Sequence, residues 1–466
     1  MENRYHFVGI GGSGMSALAQ ILVARGVKVS GSDRYYDAEV NTTFFDKLAS
    51  LGISIFSQDG SGVEGKVAQG VAPLAGVAPL TVVVSTAIET DNPDIVKAKA
   101  LNIPIIKRAE LLAEIFNTTK TGIAITGTSG KTTTTAMTGF ILHQLGLNPT
   151  IINGGIMLDF CDGDWLGNAV HGDADLMVIE SDESDGSCIR YNPAIGVITN
   201  IHLDHKPLFE LEIIFNEFTG NIRETLLVNA DCPSCANLKS HPQKITFGIK
   251  KKADVFAKEL KLLPHGSHFV IENTAFYLPL PGIHNVYNAL AAIAVVTGLG
   301  IKIDLLATVL SKFKGIKRRG QLIGEEKGIK VIDDYAHNPD KIKATLATLK
   351  LQFPRLIAIF QPHGFGPTRL LKDGFIQVFK EELRKQDILF MPEIYYAGGT
   401  VAMDISSKDI ITPLQKQGIQ AYYFMHRQEI IGAVAKIVQS GDGIVVMGAR
   451  DETLSEFCLG ILEAMK

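Results

Sequence analysis

The sequence has few of the features that mark secreted, membrane or nucleic-acid-binding proteins. It contains one tryptophan and only five cysteines, an odd number that does not predict a disulfide framework. Its most apolar run, 289–296, is far shorter than the roughly 20 residues that a membrane span needs. Its 45 basic and 49 acidic residues give a formal net charge of −4, which gives no reason to expect nucleic acid or an anionic membrane as a partner.

The first residues, MENRYHFVGIGG, show no basic region followed by a long apolar stretch, so we expect no signal peptide and a cytoplasmic location. Cys232 and Cys235 form a single C-x-x-C pair. A structural zinc site would need a second ligand pair of similar spacing, and a redox role would need a thioredoxin-like setting. A reduced pair in a loop is therefore the preferred interpretation.

The order of apolar and helical segments predicts an α/β protein with mostly parallel sheets. A length of 466 residues suggests about three domains. Three series of strands and helices begin near Tyr5, Ile123 and Lys330, each with its own strand-loop-helix unit. The predicted domains are 1–118, 119–316 and 317–466. Within the first domain, the stretch 60–80 contains GVAPL twice and is interpreted as a surface loop without chemistry.

A glycine-rich motif, GIGGSG, follows the first predicted strand at Gly9–Gly14. Glycines there let the backbone turn tightly and approach a diphosphate at the start of a helix. Asp33 ends the second predicted strand, where an acid commonly binds a ribose hydroxyl. A nicotinamide dinucleotide and a UDP-sugar both combine diphosphate with ribose, so the motif fits either ligand, or a tight turn that binds none.

A second loop, GTSGKTT, follows the strand GIAIT at Gly127–Thr133 and precedes a helix. Ile125 stands where the strict Walker pattern has its first glycine. The loop still supplies backbone N–H groups for phosphates, with Lys131 for the β and γ oxygens and Thr132 as a ligand for Mg²⁺. The alternative is a solvated lysine between glycines, which would give the GTSGKTT loop no role in binding.

Carboxylates cluster in the third motif, IESDESD, which follows an apolar strand and contains Glu180, Asp182, Glu183 and Asp185. Such a cluster repels itself unless cations or donors neutralise it. Beside a phosphate loop it favours Mg²⁺, although a solvated charged loop is the alternative. His205, at the end of the next strand, could join Glu180 near a second metal or have a structural role only.

Three further groups could contact a nucleotide or serve the fold alone. Asn285 and Asn288 open an alanine-rich helix, and Asn285 could simply cap it. The basic stretch 317–319 could bind phosphate or solvate a domain joint. The acids of the stretch 333–339, DDYAHNP, could hold a ribose or cap the following helix.

Taken together, these motifs resemble those of the Mur ligase family, the ATP-dependent enzymes that build the peptide stem of peptidoglycan. The resemblance extends over essentially the whole chain. The segments that carry it are GIGGSGMSALA, VVVSTAIETDNPDI, IPIIKRAELLAEI, GTSGKTTTTAM, IESDESDGS, VITNIHLDH, HNVYNALAA, KRRG, DDYAHNPDKI and FQPHGFGPTR. It implies an N-terminal Rossmann-like domain that binds UDP, a central ATP-binding P-loop domain and a C-terminal Rossmann-like ligase domain.

The resemblance also implies roles for single residues. Those that would bind ATP are Gly127, Thr128, Ser129, Gly130, Lys131, Thr132, Thr133, Asn285, Asn288, Arg319 and Asp334. Those that would bind substrate are Gly11, Gly12, Ser13, Gly14, Met15, Asp33, Ser85, Arg108 and His337. Thr132 and Glu180 would hold one Mg²⁺, and His205 would help to hold the other. The catalytic set would be Lys131, Glu180, His205 and Arg319.

The reaction that the resemblance implies is amide formation between UDP-N-acetylmuramate and L-alanine, through an acyl phosphate made from ATP. A third domain that closes over the site would keep water from this intermediate. Ser129, Asn338 and Gly364 depart from the residues usual in alanine-adding members, so another amino acid or a recycled murein peptide remains an alternative donor. We expect a monomer or a homodimer. From other classes, a nicotinamide oxidoreductase and a non-catalytic nucleotide-binding paralogue remain open.

Overall fold

A computed structural model describes residues 3–64, 79–161, 163, 165–203, 206–396, 402–451 and 453–466. The chain forms two compact units. The first comprises Met1–Leu260, Phe269–Leu278 and Asn285–Gly315, and the second comprises Lys261–His268, Pro279–His284 and Ile316–Lys466.

The N-terminal part of the first unit is a five-stranded parallel sheet with the strand order β3-β2-β1-β4-β5. Its elements are β1 (Arg4–Val8), α1 (Ser13–Ala24), β2 (Lys28–Ser32), α2 (Arg34–Asp37), α3 (Thr42–Ser50), β3 (Ser54–Phe56), α4 (Ser61–Glu64), β4 (Leu80–Val84), α5 (Pro93–Ala100), β5 (Ile105–Lys107) and α6 (Arg108–Phe116).

The second sheet has ten strands in the order β15-β14-β13-β12-β11-β10-β6-β9-β7-β8. Strands β12 to β7 along this order are parallel, and β8 pairs with β7 in the antiparallel sense. The first elements are β6 (Thr121–Thr126), α7 (Lys131–Gln144), β7 (Pro149–Ile152), β8 (Ala169–Val170), β9 (Asp173–Glu180), a 3₁₀ helix (Ser187–Arg190), β10 (Ile195–Ile198) and α8 (Leu208–Gly220). The others are β11 (Thr225–Asn229), α9 (Pro233–Ala236), β12 (Lys244–Gly248), β13 (Val255–Leu263), β14 (Gly266–Ile271), β15 (Thr274–Leu278), α10 (Ile283–Gly298) and α11 (Asp304–Leu310).

The C-terminal sheet has six strands in the order β16-β17-β21-β18-β19-β20. Strand β16 is antiparallel to β17, and the remaining pairs are parallel. Its elements are β16 (Gln321–Glu326), β17 (Ile329–Asp334), α12 (Pro339–Leu349), β18 (Leu356–Gln361), α13 (Phe365–Glu382), β19 (Ile388–Pro392), α14 (Lys408–Lys416), β20 (Gln420–Phe424), α15 (Arg427–Ala435), β21 (Gly443–Gly448) and α16 (Leu454–Ala464).

The central strands of the C-terminal sheet are short apolar runs because alternate residues pack into two separate apolar clusters. Every residue of β18 and β21 is buried, for example. The prediction of three α/β domains with mostly parallel sheets is confirmed. The domain bounds 1–118, 119–316 and 317–466 stay a prediction.

The three sheets place the predicted motifs where parallel sheets bind ligands. Strand β1 lies between β2 and β4, and β6 lies between β10 and β9, so each is followed by a loop at a point where the strand order reverses. Ligands bind at the carboxyl ends of strands at such points. The glycine-rich loop follows β1 and the phosphate loop follows β6, while the stretch 335–339 follows β17.

Two sequence expectations concern the loop at 60–80 and membrane-spanning segments. The predicted loop at 60–80 lies mostly outside the described residues, which omit 65–78, and its first part forms the short helix α4 instead of a loop. Val63 in this helix is fully buried against the N-terminal sheet, which explains the helical turn. Across the part of the chain that the structure describes, no helix combines the length and the apolar character that crossing a membrane requires.

A single carboxylate ties together three segments of the central sheet. Asp231 follows β11 and accepts backbone N–H bonds from Ile249 at 2.7 Å, Lys250 at 2.9 Å and Lys251 at 2.7 Å. The Tyr287 hydroxyl on α10 donates to the same side chain at 2.8 Å. Burial alone would raise the pKa of Asp231, but these donors outweigh it and leave the pKa below its ordinary value.

We expect Asp231→Asn to lower the free energy of unfolding by about 1–3 kcal/mol at neutral pH, since several donors lose a charged acceptor. A lowered folded-state pKa stabilises the fold above the unfolded-state pKa of about 3.9, and this stabilisation is lost as pH falls through the folded-state value. The difference between wild type and variant, measured by urea unfolding, should therefore be full at neutral pH and shrink below roughly pH 4.

The matched control is Asp175→Asn, which removes the charge from an exposed aspartate of β9. A loss of stability in Asp231→Asn no larger than in this control, or a difference that does not change with pH, would contradict the assignment.

Candidate active site

The phosphate loop connects β6 to α7 and depends on two glycines. Gly127 has φ +125° and Gly130 has φ +86°, both in the region that side chains rarely adopt. A Cβ on Gly130 would lie 2.3 Å from Asn288 Oδ1, so the loop packs directly against α10. Thr132 and Thr133 follow on the first turn of α7, where free N–H groups favour an anion.

Side chains that follow β10 hold the phosphate loop in shape. Asn200 Oδ1 accepts from Thr128 Oγ1 at 2.8 Å and from the Ser129 backbone N–H at 3.0 Å. Thr199 Oγ1 donates to the Ser129 carbonyl at 2.6 Å. The sequence motifs gave neither Thr199 nor Asn200 a role. The signal that could have found them is the position of β10, which pairs directly with β6.

Lys131 lies among carboxylates. Its Nζ donates to Glu183 Oε2 at 2.6 Å and to the Gly127 carbonyl at 2.9 Å, and it lies 3.8 Å from Asp182 Oδ1. Burial alone would lower the pKa of Lys131, but the charges of Glu183, Asp182 and Glu180 outweigh it and raise the pKa. The ammonium therefore stays charged, and a phosphate that binds the loop competes with Glu183 for it.

Two of the predicted metal ligands lie together. Thr132 Oγ1 donates to Glu180 Oε1 at 2.9 Å, and the Gly154 backbone N–H donates to Glu180 Oε2 at 2.7 Å. A hydroxyl and a carboxylate are the hard oxygen donors that Mg²⁺ prefers, so these residues fit that ion. The third predicted ligand, His205, lies outside the described residues, among which no cluster of three or more His, Cys, Asp or Glu side chains could hold a metal.

Helix α10 brings the predicted asparagines to the phosphate loop. Asn288 is 6% exposed, and its Oδ1 accepts from Thr134 Oγ1 at 3.4 Å. Its Nδ2 donates to Asn285 Oδ1 at 3.4 Å, one helical turn earlier. Asn288 therefore lies against the phosphate loop with Asn285 beside it, and the contacts of both with ATP stay a prediction.

Asp33, the acid predicted to bind ribose, accepts hydrogen bonds from backbone N–H groups in and near the glycine-rich loop. Asp33 Oδ2 accepts the Gly11 N–H at 2.8 Å, and Oδ1 accepts the Tyr35 N–H at 2.9 Å. Burial raises the pKa of Asp33. Gly12 and Ser13 are exposed at the start of α1, whereas the Met15 side chain is 3% exposed and packs in the core. A substrate contact of Met15 would therefore be made by its backbone.

Arg108 connects the glycine-rich loop to the acidic segment. A Cβ on Gly14 would lie 3.3 Å from Arg108 Nε, so the side chain packs against the loop. Burial alone would raise the pKa of Asp182, but the charge of Lys131, hydrogen bonds from Ser184 and, more weakly, the charge of Arg108 outweigh it and lower the pKa. Arg108 thus packs against the glycine-rich loop and acts electrostatically on the acidic segment.

Ser85 follows β4 at the same edge of the N-terminal sheet, and its Oγ accepts the Ala87 N–H at 3.3 Å. Ile88, which follows Ala87, has its Cδ1 atom 2.8 Å from the position that a Cβ on Gly9 would take. The structure therefore brings Ser85 beside the glycine-rich loop, as the substrate assignment expects.

In the second unit, the residues that follow β17 form their own cluster. The Arg319 guanidinium lies 4.8 Å from the centre of the Tyr335 ring. Asp334 accepts the Gly320 N–H at 2.6 Å and the Ala336 N–H at 2.8 Å, and burial raises its pKa. His337 Nδ1 lies 2.9 Å from the Tyr335 carbonyl, and burial holds the pKa of His337 well below its ordinary value, so its imidazole is neutral.

Three sequence models of known protein families match successive parts of the chain. Residues 4–120 match the sequence model described as Mur ligase family, catalytic domain; residues 125–296 match the Mur ligase middle domain; and residues 318–450 match the Mur ligase, glutamate ligase domain. The chain is 37% identical to the UDP-N-acetylmuramate–L-alanine ligase of Aquifex aeolicus, with 98% of this chain and 96% of the relative covered. It is 37% identical to that of Acaryochloris marina, with 96% of this chain and 92% of the relative covered.

Solved structures give the same fold. The UDP-N-acetylmuramate-alanine ligase of Thermotoga maritima superposes with a TM-score of 0.79 at 28% identity, with 99% of this chain and 98% of that chain covered. A murein peptide ligase of Psychrobacter arcticus superposes with a TM-score of 0.70 at 23% identity, with 99% and 98% covered, and this likeness concerns the fold alone.

We expect Gly130→Ala to weaken ATP binding by about tenfold or more, since a Cβ there must displace Asn288 and the loop with it. The measurement is a calorimetric titration with ATP. Gly146→Ala is the matched control, because Gly146 follows the other end of α7 with φ +78° and a Cβ there meets nothing within 4 Å. The control shares the backbone strain without the clash, so equal weakening in both variants would contradict the prediction.

Proposed function

Since the chain belongs to the Mur ligase family, we propose that it is an ATP-dependent ligase that joins the carboxylate of UDP-N-acetylmuramate to the amino group of L-alanine. The observation that carries the proposal is the phosphate loop, with Lys131 and the pair Thr132–Glu180, in the same unit as a glycine-rich loop that Arg108 contacts. One loop serves ATP and the other serves the nucleotide sugar.

The chemistry explains why both nucleotides are needed. A carboxylate reacts poorly with an amine because its oxygen does not leave. Transfer of the γ-phosphoryl group from ATP to the carboxylate oxygen releases ADP and gives an acyl phosphate. The amine then attacks the carbonyl carbon, inorganic phosphate leaves and the nitrogen loses a proton, which completes the amide.

This chain's residues lower the electrostatic cost of the first step. The carboxylate and the γ-phosphate are both anions, so they approach only where cations offset their repulsion. Lys131 supplies one fixed positive charge at the loop, and Arg108 supplies another beside the glycine-rich loop. Arg319, Asp334 and His337 belong to the second unit, and their contacts with nucleotide or substrate stay a proposal from the family resemblance.

Mg²⁺ is part of the proposal because Thr132 and Glu180 present a hydroxyl and a carboxylate side by side. These two residues would hold one ion, and His205 would help to hold a second. When bound, the first ion would neutralise phosphate oxygens of ATP. Glu180 would remain oriented by the Gly154 N–H, which bonds its second oxygen.

We extend the proposal to the amine donor, the location and the assembly. We take L-alanine as the donor, with another amino acid or a murein peptide as the second candidate, because Gly364 stands where alanine-adding members usually carry a basic residue. We place the enzyme in the cytoplasm, since its five cysteines are unpaired. A monomer or a homodimer stays our proposal for the assembly.

The test is phosphate release from ATP and Mg²⁺ in the presence of UDP-N-acetylmuramate, with each amino acid and the murein tripeptide offered separately. We expect release only when L-alanine and the nucleotide sugar are both present. Lys131→Ala should reduce it by at least about 100-fold, because a charge that stabilises the transferred phosphoryl group is lost. Lys120→Ala, which removes an exposed lysine at the opposite end of β6, is the matched control.

Each outcome decides between candidates. Release with a different donor keeps the mechanism and changes the substrate. ATP binding without release for any donor would sink the ligase proposal and favour a nucleotide-binding protein without catalysis. Quenching of NADPH fluorescence in place of ATP binding would point to an oxidoreductase.

A further inference from the structure

Asn168 is a buried amide whose polar atoms all bond to one helix. It immediately precedes β8 and is 2% exposed. Its Nδ2 donates to the Ser13 carbonyl at 2.8 Å and to Ser16 Oγ at 2.9 Å, and its Oδ1 accepts from Gln20 Nε2 at 2.8 Å. Ser13 lies within the glycine-rich loop at the start of α1. Asn168 therefore reaches from the central sheet to the loop proposed to bind the nucleotide sugar.

Gln20 completes a two-amide link between the same two segments. Its Oε1 accepts the Leu166 backbone N–H at 3.1 Å, and its Nε2 also donates to the Ser16 carbonyl at 3.0 Å. Gln20 is 1% exposed. Both amides are satisfied without water, so the spacing and rotation of α1 against residues 166–168 are fixed by directional bonds.

From Asn168 the contacts continue to the proposed metal ligand. The Asn168 carbonyl accepts the Asn153 N–H at 2.9 Å. The next residue, Gly154, donates its N–H to Glu180 Oε2 at 2.7 Å, and Glu180 Oε1 accepts from Thr132. A Cβ on Gly154 would lie 2.5 Å from Glu180, so this turn packs directly on the carboxylate. A short run of bonds thus joins the Ser13 carbonyl to Glu180.

We propose that Asn168 is a positioning residue that sets the glycine-rich loop at a fixed distance from Glu180, and so registers the nucleotide sugar against the γ-phosphate of ATP. The proposal rests on the proposed function, since the two loops need such register only if groups bound to each react together. Asn168 itself touches neither substrate in this assignment. It acts through Ser13 on one side and through the turn at Asn153 on the other.

The need for register follows from the reaction. Phosphoryl transfer requires the carboxylate oxygen within about 3–3.5 Å of the phosphorus, and a misplacement of about 1 Å can cost 100-fold in rate. Two loops on separate sheets meet that tolerance only if the connection between them is stiff. An apolar side chain would fill the same space, but it would remove the bonds that join Asn168 to α1 and leave the rotation of that helix unspecified.

The first test compares Asn168→Ala and Asn168→Asp with wild type in steady-state ligation. Asn168→Asp keeps the shape but removes both N–H donors, so it separates the bonds from the packing. We expect kcat to fall by about 10–100-fold in both variants while the KM for ATP changes by less than about twofold. The matched control is Asn216→Ala on α8, where an asparagine also donates to a helical carbonyl and accepts a backbone N–H, at 2.8 Å each, away from both loops.

A purely structural role would change the melting temperature and reduce both substrate affinities without this division between kcat and KM. Wild-type kcat in Asn168→Asp, or a loss of kcat in Asn216→Ala equal to that in Asn168→Ala, would overturn the proposal while leaving the ligase assignment intact.

The second test needs no catalysis and separates the two proposals. Calorimetry measures the affinity for UDP-N-acetylmuramate with and without a non-hydrolysable ATP analogue. We expect the analogue to change this affinity by about fivefold or more in wild type and by less than about twofold in Asn168→Ala, with ATP-analogue affinity retained. Such a result in a chain that shows no ligation would sink the proposed function and leave Asn168 as a residue that couples the two binding loops. Coupling that is absent in wild type or equal in the variant would overturn the positioning role.

Discussion

The charge of Lys131 is the constraint on which the rest of the site depends. A buried ammonium is stable only among carboxylates, and Glu183 and Asp182 supply them at the end of β9. That requirement fixes the distance between the phosphate loop and the acidic segment, and it draws Glu180 beside Thr132. Because β6 and β9 are paired neighbours, the sheet itself delivers both partners to one edge. The same ion pairs therefore keep a positive charge in place at the phosphate loop.

Local sequence patterns predict the parts of this molecule that local physics determines. The strands β18 and β19 begin and end at the residues that the apolar runs indicate, Leu356–Gln361 and Ile388–Pro392, because buried parallel strands have no polar face. The phosphate loop is equally readable, since its glycines need positive φ. The Mur ligase motifs extended this to the order of the three domains, which the family comparison confirms.

Contacts between segments far apart in the sequence could not be predicted from local patterns, because they depend on how the sheet orders its strands. Thr199 and Asn200 bond the phosphate loop more than 65 residues earlier, through a strand neighbour that only the sheet order reveals. Asp33, at a position typical of a ribose ligand, also accepts the Gly11 N–H of its own loop, and its ribose contact stays a prediction. Helix α4 replaced an expected loop because Val63 finds an apolar pocket that composition cannot show. Each case depends on which residues become neighbours in the folded protein, and a local sequence motif does not specify those neighbours.

The link between the two loops of the first unit uses neutral amides, and their chemistry suits the task. An ion pair at the positions of Asn168 and Gln20 would carry a large desolvation penalty, because both residues are almost completely buried. An apolar contact would cost nothing to desolvate but would leave the rotation of α1 free to vary. Amides offer both a donor and an acceptor at little electrostatic cost, so they specify orientation without adding a field near the phosphates. The amides therefore set the position of α1 against residues 166–168 without a charge of their own.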